Sequence, residues 1–198
     1  MINDKRVEFK TICTTKEIDS IFYWLKDTLD QIYSKRTITS LYFDTLDFSL
    51  FKEKELYDVD TKTVRFREYS NDRNIYKEIK TNKFDGKYKT SVLTNFLSLD
   101  KINYCTEMGR VLYPSLFTKY TRQYFVSDNF RMTIDSDITF TTHRFRSLNK
   151  IEKKLNMKVL EFKFLDNFKN PDILNRIPLP TQGFSKFKQA NNDLYGKY

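Results

Sequence analysis

The chain has 198 residues, of which 39% are hydrophobic and 16% aromatic, so it can form a substantial core. Its 35 Lys and Arg residues outnumber 26 Asp and Glu residues, and the formal net charge of +9 favours an anionic partner. Two distant cysteines and short apolar runs argue against a disulfide scaffold, a zinc site and a transmembrane helix, and the N-terminus has no apolar signal region, so we expect a reduced, cytoplasmic protein.

Segments rich in Val, Ile, Thr, Tyr and Phe predict strands, and apolar residues at three-to-four spacing predict helices. In chain order, the predicted strands are residues 4–12, 37–45, 62–69, 74–82, 87–93, 119–127, 130–141 and 157–166. The principal helix is predicted at residues 15–33, after an N-cap at Thr14 or Thr15, and shorter helices at 47–54, 94–100, 171–176 and 185–195. No Gly-, Ser- or Pro-rich linker interrupts this order, so we expect a single domain over residues 1–198.

Charged and apolar side chains alternate along several of the predicted strands. Because successive side chains of a strand point to opposite faces, Arg65 and Arg67 share one face, and Val64 and Phe66 occupy the other. The same rule predicts further one-sided groups, namely Glu8 with Lys10, Glu78 with Lys80, Tyr120 with Arg122 and Tyr124, and Glu161 with Lys163.

Two arrangements are compatible with this alternation. An antiparallel sheet commonly packs its apolar face on helices and leaves its polar face in water. Carboxylates recur beside Lys or Arg on several strands, however, whereas solvated faces usually contain more Ser, Thr, Asn and Gln. We therefore predict an α+β fold: a closed eight-stranded antiparallel β-barrel with helices packed outside and a charged lumen for a polyphosphate or a nucleoside triphosphate.

The cations of this lumen would surround a linear polyanion from several directions. Arg offers a bidentate fork to phosphate, and Lys offers a mobile point charge. The candidate phosphate ligands from strand parity are Lys10, Arg65, Arg67, Lys80, Arg122 and Lys163.

Carboxylates on the same faces would repel phosphate unless a divalent cation lies between them, and Mg²⁺ or Mn²⁺ suits that role. Glu161 is the first candidate metal ligand and Glu8 the second. Asp135 and Asp137 share a face of one predicted strand and could join them. Structural ion pairing is an equal alternative for Glu8, Glu78 and the two aspartates.

Other chemistry-bearing residues give weaker signals. His143 is the only histidine, and we interpret it as a surface or satisfied core residue; Cys13 and Cys105 are interpreted as small apolar residues. No Walker A loop, G-x-G-x-x-G, G-x-S-x-G or H-E-x-x-H motif is present, so phosphate chemistry would need another scaffold.

Short motifs along the chain resemble the polyphosphate polymerase domain of the vacuolar transporter chaperone (VTC) complex, within the triphosphate tunnel metalloenzymes. In order, they are Arg6-Val-Glu-Phe-Lys10, Ser40-Leu-Tyr-Phe-Asp-Thr45, Val64-Arg-Phe-Arg67, Glu78-Ile-Lys80, Tyr120-Thr-Arg122, Thr133-Ile-Asp135, Leu160-Glu-Phe-Lys163 and Phe184-Ser-Lys-Phe187. Each motif is weak alone, but eight in the family's order form a specific signal.

The resemblance implies an eight-stranded tunnel that binds a triphosphate. It implies phosphate contacts from Lys10, Arg65, Arg67, Lys80, Arg122, Lys163 and Lys186, with help from Tyr120 and Ser185. Glu161 would hold Mn²⁺ or Mg²⁺. The catalytic residues expected from it are Arg65, Arg67, Arg122, Lys163 and Glu161.

VTC-type polymerases move the γ-phosphate of ATP to a growing polyphosphate, whereas other tunnel enzymes hydrolyse tripolyphosphate or thiamine triphosphate, or cyclise ATP. The Glu-x-Glu-x-Lys signature of the hydrolase and cyclase branch is Arg6-x-Glu8-x-Lys10 here, which favours the VTC branch. A tunnel hydrolase, or a non-catalytic binder of polyphosphate or RNA, remains the alternative. RNA binding is the weakest of these, because Tyr and Phe alternate with apolar residues as in core strands.

Overall fold

The computed structural model describes residues 8–25, 29–57, 59–128, 130–164 and 183–196. Its strands are β1 (Glu8–Cys13), β2 (Asp30–Asp44), β3 (Thr61–Tyr69), β4 (Asp72–Lys83), β5 (Gly86–Thr94), β6 (Cys105–Glu107), β7 (Arg110–Val126), β8 (Phe130–Thr142), β9 (Glu152–Leu155) and β10 (Lys158–Phe164). Its helices are α1 (Thr15–Leu25), α2 (Ser49–Leu56) and α3 (Lys186–Tyr195), with a 3-10 turn at Leu99–Lys101.

The strands form an antiparallel sheet in the order β1-β10-β8-β7-β2-β3-β4-β5, with β6 beside β7 and β9 beside β8. The predicted α+β class and antiparallel sheet are therefore confirmed. Two compact units share these strands: unit 1 comprises Met1–Arg36, Tyr120–Ile138 and Leu155–Phe184, and unit 2 comprises Thr37–Lys119, Thr139–Lys154 and Ser185–Tyr198.

Helix α1 covers the apolar face of the strands in unit 1. Its first turn is fixed by a capping box, in which the Thr14 backbone N–H donates to Glu17 at 2.6 Å and the Glu17 N–H donates to the Thr14 hydroxyl at 3.3 Å. Three apolar residues of α1 are buried among side chains of β7, β8 and β10. The cluster contains Cys13, Ile18, Ile21, Leu25, Phe125, Phe130, Met132, Ile134, Leu160, Phe162 and Phe164.

The predicted helix at residues 15–33 is too long. Helix α1 ends at Leu25, and β2 already begins at Asp30. Leu29 continues the apolar spacing because it packs against the unit 1 core, but Ile32 is 38% exposed. The Tyr33 ring instead meets the Tyr124 ring of β7 edge-on, with centroids 5.6 Å apart, a tertiary contact that local spacing does not reveal.

Unit 2 has its own core, and a buried carboxylate caps the N-terminus of α2. Asp44, at the end of β2, is fully buried, and its two carboxylate oxygens accept the backbone N–H groups of Leu50 at 2.9 Å and Phe51 at 3.0 Å. It also accepts the Thr45 N–H at 2.8 Å. The aspartate of the Ser40–Thr45 motif therefore has a structural role, since it satisfies N–H groups that the first turn of a helix leaves without partners.

Replacing this cap should destabilise the fold. We expect Asp44→Ala to lower the free energy of unfolding by about 2 kcal/mol, because it removes the acceptor of three backbone N–H groups, two of them buried. Urea denaturation measures this change. Asp47→Ala is the control, because Asp47 is exposed and accepts a hydrogen bond from the Ser49 hydroxyl; an equal loss in both variants would contradict the role of Asp44.

Several predicted boundaries need correction. Residues 94–100 are not an α-helix, because Thr94 ends β5 and the Ser98 hydroxyl caps only a 3-10 turn. Strand β7 begins at Arg110, well before residue 119, after a hairpin turn in which Met108 and Gly109 both have positive φ. This strand contains Pro114, a residue that is uncommon inside strands. Residues 4–7, 165–166 and 171–176 of other predicted elements lie outside the described residues.

Candidate active site

Unit 1 contains a cluster of three cations and three carboxylates, the unit-1 cluster. Its members are Glu8, Lys10, Arg122, Asp135, Glu161 and Lys163. Antiparallel pairing of β1 with β10 places Glu8 opposite Lys163 and Lys10 opposite Glu161. Because each strand carries its acid and its lysine two residues apart, this register brings opposite charges together on one face.

Glu161 is the centre of this cluster and is only 5% exposed. Its Oε1 lies 3.1 Å from the Nζ of Lys163 and 3.5 Å from that of Lys10, and its Oε2 lies 3.7 Å from Arg122 Nη2. Glu8 forms an ion pair with the same Lys10 and lies 3.9 Å from Lys163. The two predicted metal ligands thus share both lysines.

Arg122 and Asp135 form a bidentate pair beside Glu161. Arg122 donates from Nε and Nη2 to the two carboxylate oxygens of Asp135, the second bond being 2.7 Å long. Burial alone would lower the pKa of Arg122, but the charges of Asp135 and Glu161 raise it well above its ordinary value. Asp135 is 1% exposed and therefore acts as a fixed counter-ion of Arg122.

The acidic residues do not form a ready-made metal cage. Within the ranges that the structure describes, no three His, Cys, Asp or Glu side chains come together to hold an ion. Mg²⁺ is often held by one or two carboxylates together with substrate phosphates and waters. Glu161, surrounded by three cations, fits that kind of joint site, since phosphate charge would offset the repulsion between the lysines and a metal.

Unit 2 contains a second and more positive group, the unit-2 cluster. It consists of Ser40 and Tyr42 on β2, Arg65 and Arg67 on β3, Glu78 on β4 and Lys89 on β5. The side chain of Glu78 is 2% exposed and is the acceptor around which three cations converge. Charge in this cluster is therefore far from balanced.

The geometry of the two arginines is fixed by hydrogen bonds. Arg65 donates to Glu78 from Nε at 2.7 Å and to the Tyr42 hydroxyl from Nη1 at 3.0 Å. Arg67 Nη1 lies 3.4 Å from Glu78 Oε2, and its Nε donates to the buried Ser40 hydroxyl at 3.0 Å. Burial alone would raise the pKa of Glu78, but Arg65, Arg67 and Lys89 hold it well below its ordinary value.

Lys89 belongs to the unit-2 cluster, although it was not among the predicted phosphate ligands. The turn before Gly86, whose φ is +146°, pairs Lys83 with Gly86 and consequently Lys80 with Lys89. Lys89 then reaches Glu78 by an ion pair. The tight-turn signal at Gly86 could have revealed this register, because hairpin geometry fixes every later pair.

The other predicted phosphate ligands lie near one of the two clusters, or on a strand that contributes a residue to it. Lys80 is half-buried on β4, two residues from Glu78 and opposite Thr63. Lys186 begins α3 and is close enough to Tyr42 to help lower the pKa of its phenol, against the effect of burial. The Ser185 hydroxyl caps α3 by accepting the Lys188 N–H at 3.4 Å. In unit 1, Tyr120 packs under Arg122, 5.4 Å from its guanidinium carbon.

Comparison with known proteins identifies the family. The VTC domain matches residues 5–102 and 98–195, which together span most of the chain. The chain belongs to the VTC domain family. No curated protein sequence matched this VTC domain.

The fold of this VTC domain resembles solved structures at low sequence identity. PH1819 from Pyrococcus horikoshii OT3 is 16% identical, with 95% of this chain and 99% of that chain covered and a TM-score of 0.59. A Bacillus halodurans protein described as a candidate adenylate cyclase is 15% identical over 94% and 96%, with a TM-score of 0.60. A Hippeastrum adenylyl cyclase candidate, described as having a dominant triphosphatase activity, is 12% identical over 95% and 96%, with a TM-score of 0.52. The VTC match confirms the predicted family resemblance, and these neighbours share the fold.

Some residues considered in the sequence lie outside both clusters of this VTC domain. Asp137 is exposed and has a left-handed φ of +52°, whereas Asp135 is buried. His143 is 4% exposed and its Nδ1 accepts the Phe145 N–H at 3.2 Å, as expected of a satisfied core histidine. Cys13 is fully buried, and burial raises the pKa of its thiol to about 11. In the described part of the chain, no helix is long and apolar enough to cross a membrane.

Proposed function

We propose that this VTC domain is a metal-dependent phosphotransferase of the polyphosphate polymerase type, which moves the γ-phosphate of ATP to a polyphosphate chain. The unit-2 cluster is the observation that carries this proposal. Arg65, Arg67 and Lys89 converge on the single carboxylate of Glu78, and this excess of positive charge favours a multiply charged anion.

Phosphate binding follows from the chemistry of these side chains. A guanidinium presents its N–H groups in a planar fork that matches phosphate oxygens, and Arg65 and Arg67 are hydrogen-bonded to Tyr42, Ser40 and Glu78. The same bonds fix the orientation of both arginines before any ligand arrives. Preorganised cations of this kind stabilise charge at little reorganisation cost when phosphate charge shifts in the transition state.

The unit-1 cluster has equal numbers of cations and carboxylates and would have a different task. Its cations are matched by three carboxylates, so it would attract a phosphate only weakly without a metal. We assign Mn²⁺ or Mg²⁺ to Glu161, with Glu8 as the second carboxylate. Such an ion would offset charge on the phosphate oxygens during transfer.

We further propose that the sheet closes into an eight-stranded barrel within a single domain of residues 1–198. Transfer would be in line and would need no covalent nucleophile. Lys10, Arg65, Arg67, Lys80, Arg122, Lys163 and Lys186, with Tyr120 and Ser185, would hold donor and acceptor phosphates. Alignment of the donor and acceptor phosphates would supply most of the rate enhancement. The partners would be ATP and polyphosphate in the cytoplasm.

The first test is a coupled assay of the purified chain with ATP and Mn²⁺. We expect ADP release together with a ladder of polyphosphate on a gel. Omission of the metal should stop both products, because family members in this fold are metal-dependent enzymes. ADP or phosphate release without polymer would contradict the polymerase assignment.

Hydrolysis of tripolyphosphate or a nucleoside triphosphate is the second candidate function. It is favoured by the Hippeastrum neighbour, which is described as a dominant triphosphatase. The same phosphate-binding residues would serve both reactions, and only the acceptor would change from phosphate to water. Release of inorganic phosphate from tripolyphosphate, with no polymer from ATP, would establish this alternative, whereas tight binding without turnover would indicate a non-catalytic polyphosphate binder.

A further inference from the structure

Aromatic rings and guanidinium groups alternate in unit 1, starting from the unit-1 cluster. Arg122, which pairs with Asp135, has its guanidinium carbon 5.9 Å from the centre of the Tyr124 ring. The guanidinium carbon of Arg36 lies 4.5 Å from the same ring and 5.2 Å from the Tyr33 ring. We call Tyr33, Arg36 and Tyr124 the stacking triad.

The solvent exposure of the side chains increases along the triad. Tyr124 and Arg36 are half-buried, whereas Tyr33 is 56% exposed. The first residues of β2 around Tyr33 are also exposed. The Tyr33 ring thus lies at the surface, in contact with the Arg36 guanidinium and edge-on with the Tyr124 ring. Part of the ring remains accessible to solvent.

We propose that the stacking triad binds the base of a nucleoside triphosphate whose phosphates lie at the unit-1 cluster. This inference rests on the proposed function and specifies its donor. A base has a flat π-face that stacks on tyrosine and on guanidinium planes, and such stacking depends little on the identity of the base. Inorganic polyphosphate has no apolar part, so only a nucleotide would gain from this surface.

The triad therefore separates two substrate classes that the charged clusters treat alike. Phosphate contacts bind ATP and tripolyphosphate through the same oxygens. The stacking triad would add affinity for ATP alone and would leave tripolyphosphate unaffected. A nucleotide donor and an inorganic acceptor could then be distinguished by one chain.

The test is the dissociation constant of ATP and of tripolyphosphate, each measured by calorimetry with Mg²⁺. We expect Tyr33→Ala to weaken ATP binding about tenfold and to leave tripolyphosphate binding within twofold. Tyr33→Trp should restore ATP binding, because it keeps a stacking ring. Tyr23→Ala is the control, since Tyr23 is a 77% exposed tyrosine on α1 of the same unit.

The outcomes separate this inference from the function on which it rests. If the unchanged chain binds neither ATP nor tripolyphosphate, the proposed function fails and the stacking site falls with it. If the unchanged chain binds both, and Tyr33→Ala weakens neither or weakens both equally, the stacking site alone is wrong. A thermal melt of each variant checks that the exposed substitution leaves the fold intact.

Discussion

Glu161→Gln should reduce metal-dependent turnover by about 10³-fold while leaving the fold intact. Glutamine keeps the shape of the side chain but removes the negative charge that would bind the metal. Glu161 is 5% exposed and contacts Lys10, Lys163 and Arg122, so its loss also leaves three cations with less compensation. Binding of tripolyphosphate without metal should consequently persist or become tighter.

Turnover of ATP with Mn²⁺ and calorimetric binding of tripolyphosphate with EDTA measure the two halves of this prediction. Glu152→Gln is the matched control, because Glu152 is an exposed glutamate that pairs with Lys150 at 3.5 Å. The control should retain full activity. Turnover like that of the unchanged chain in Glu161→Gln would rule out Glu161 as the metal-binding carboxylate.

Glu78→Gln is expected to lower the free energy of unfolding by about 3 kcal/mol at pH 7 without ligand, because buried cations lose their counter-ion. Glu78 is 1% exposed and lies between Arg65, Arg67 and Lys89. The arginines hold the pKa of this carboxyl below its ordinary value of 4.5 despite its burial. The ion pairs therefore stabilise the fold above pH 4.5, and this contribution declines as pH falls below it.

The difference between the unchanged chain and Glu78→Gln should thus shrink between pH 5 and pH 3.5 by roughly 1.4 kcal/mol per pH unit below 4.5. Urea denaturation at pH 7, 5 and 3.5 measures it. Glu55→Gln is the control, because it removes an exposed glutamate that pairs with Lys188 at 3.2 Å. This variant should change the free energy of unfolding by at most about 0.5 kcal/mol.

Ligand binding gives a second readout for the same residue. Tripolyphosphate should raise the melting temperature of Glu78→Gln more than that of the unchanged chain, because the anion replaces the missing carboxylate beside Arg65 and Arg67. Equal stability of the two proteins at pH 7, together with equal ligand effects, would show that these cations are not the phosphate site.

The eight predicted strands could be read from the sequence because alternation is a local property of an extended backbone. Val64 and Phe66 are in the unit 2 core, and Arg65 and Arg67 lie on the other face, as parity requires. Helix α1 was recognisable from its spacing and cap, but its end was not. Leu29 continued the helical spacing because it packs against the same core, although it lies outside the described helix.

Which charges meet was decided by tertiary structure. Strand parity predicts which face of its own strand Glu78 or Arg65 occupies, but not which residue lies opposite. The register of β3 against β4 places these two residues directly opposite each other. The bidentate bond of Arg122 to Asp135 depends on the position of β7 relative to β8, and Asp137, which parity had placed with Asp135, is exposed.

The sequence by itself determined the sheet, the sign of its charged face and the family, because these follow from local alternation and from motifs in a fixed order. Only the tertiary structure decided that charge is balanced in the unit-1 cluster and strongly positive in the unit-2 cluster. The reason is physical: an ion pair depends on the distance between side chains on different strands, and turns and register set that distance.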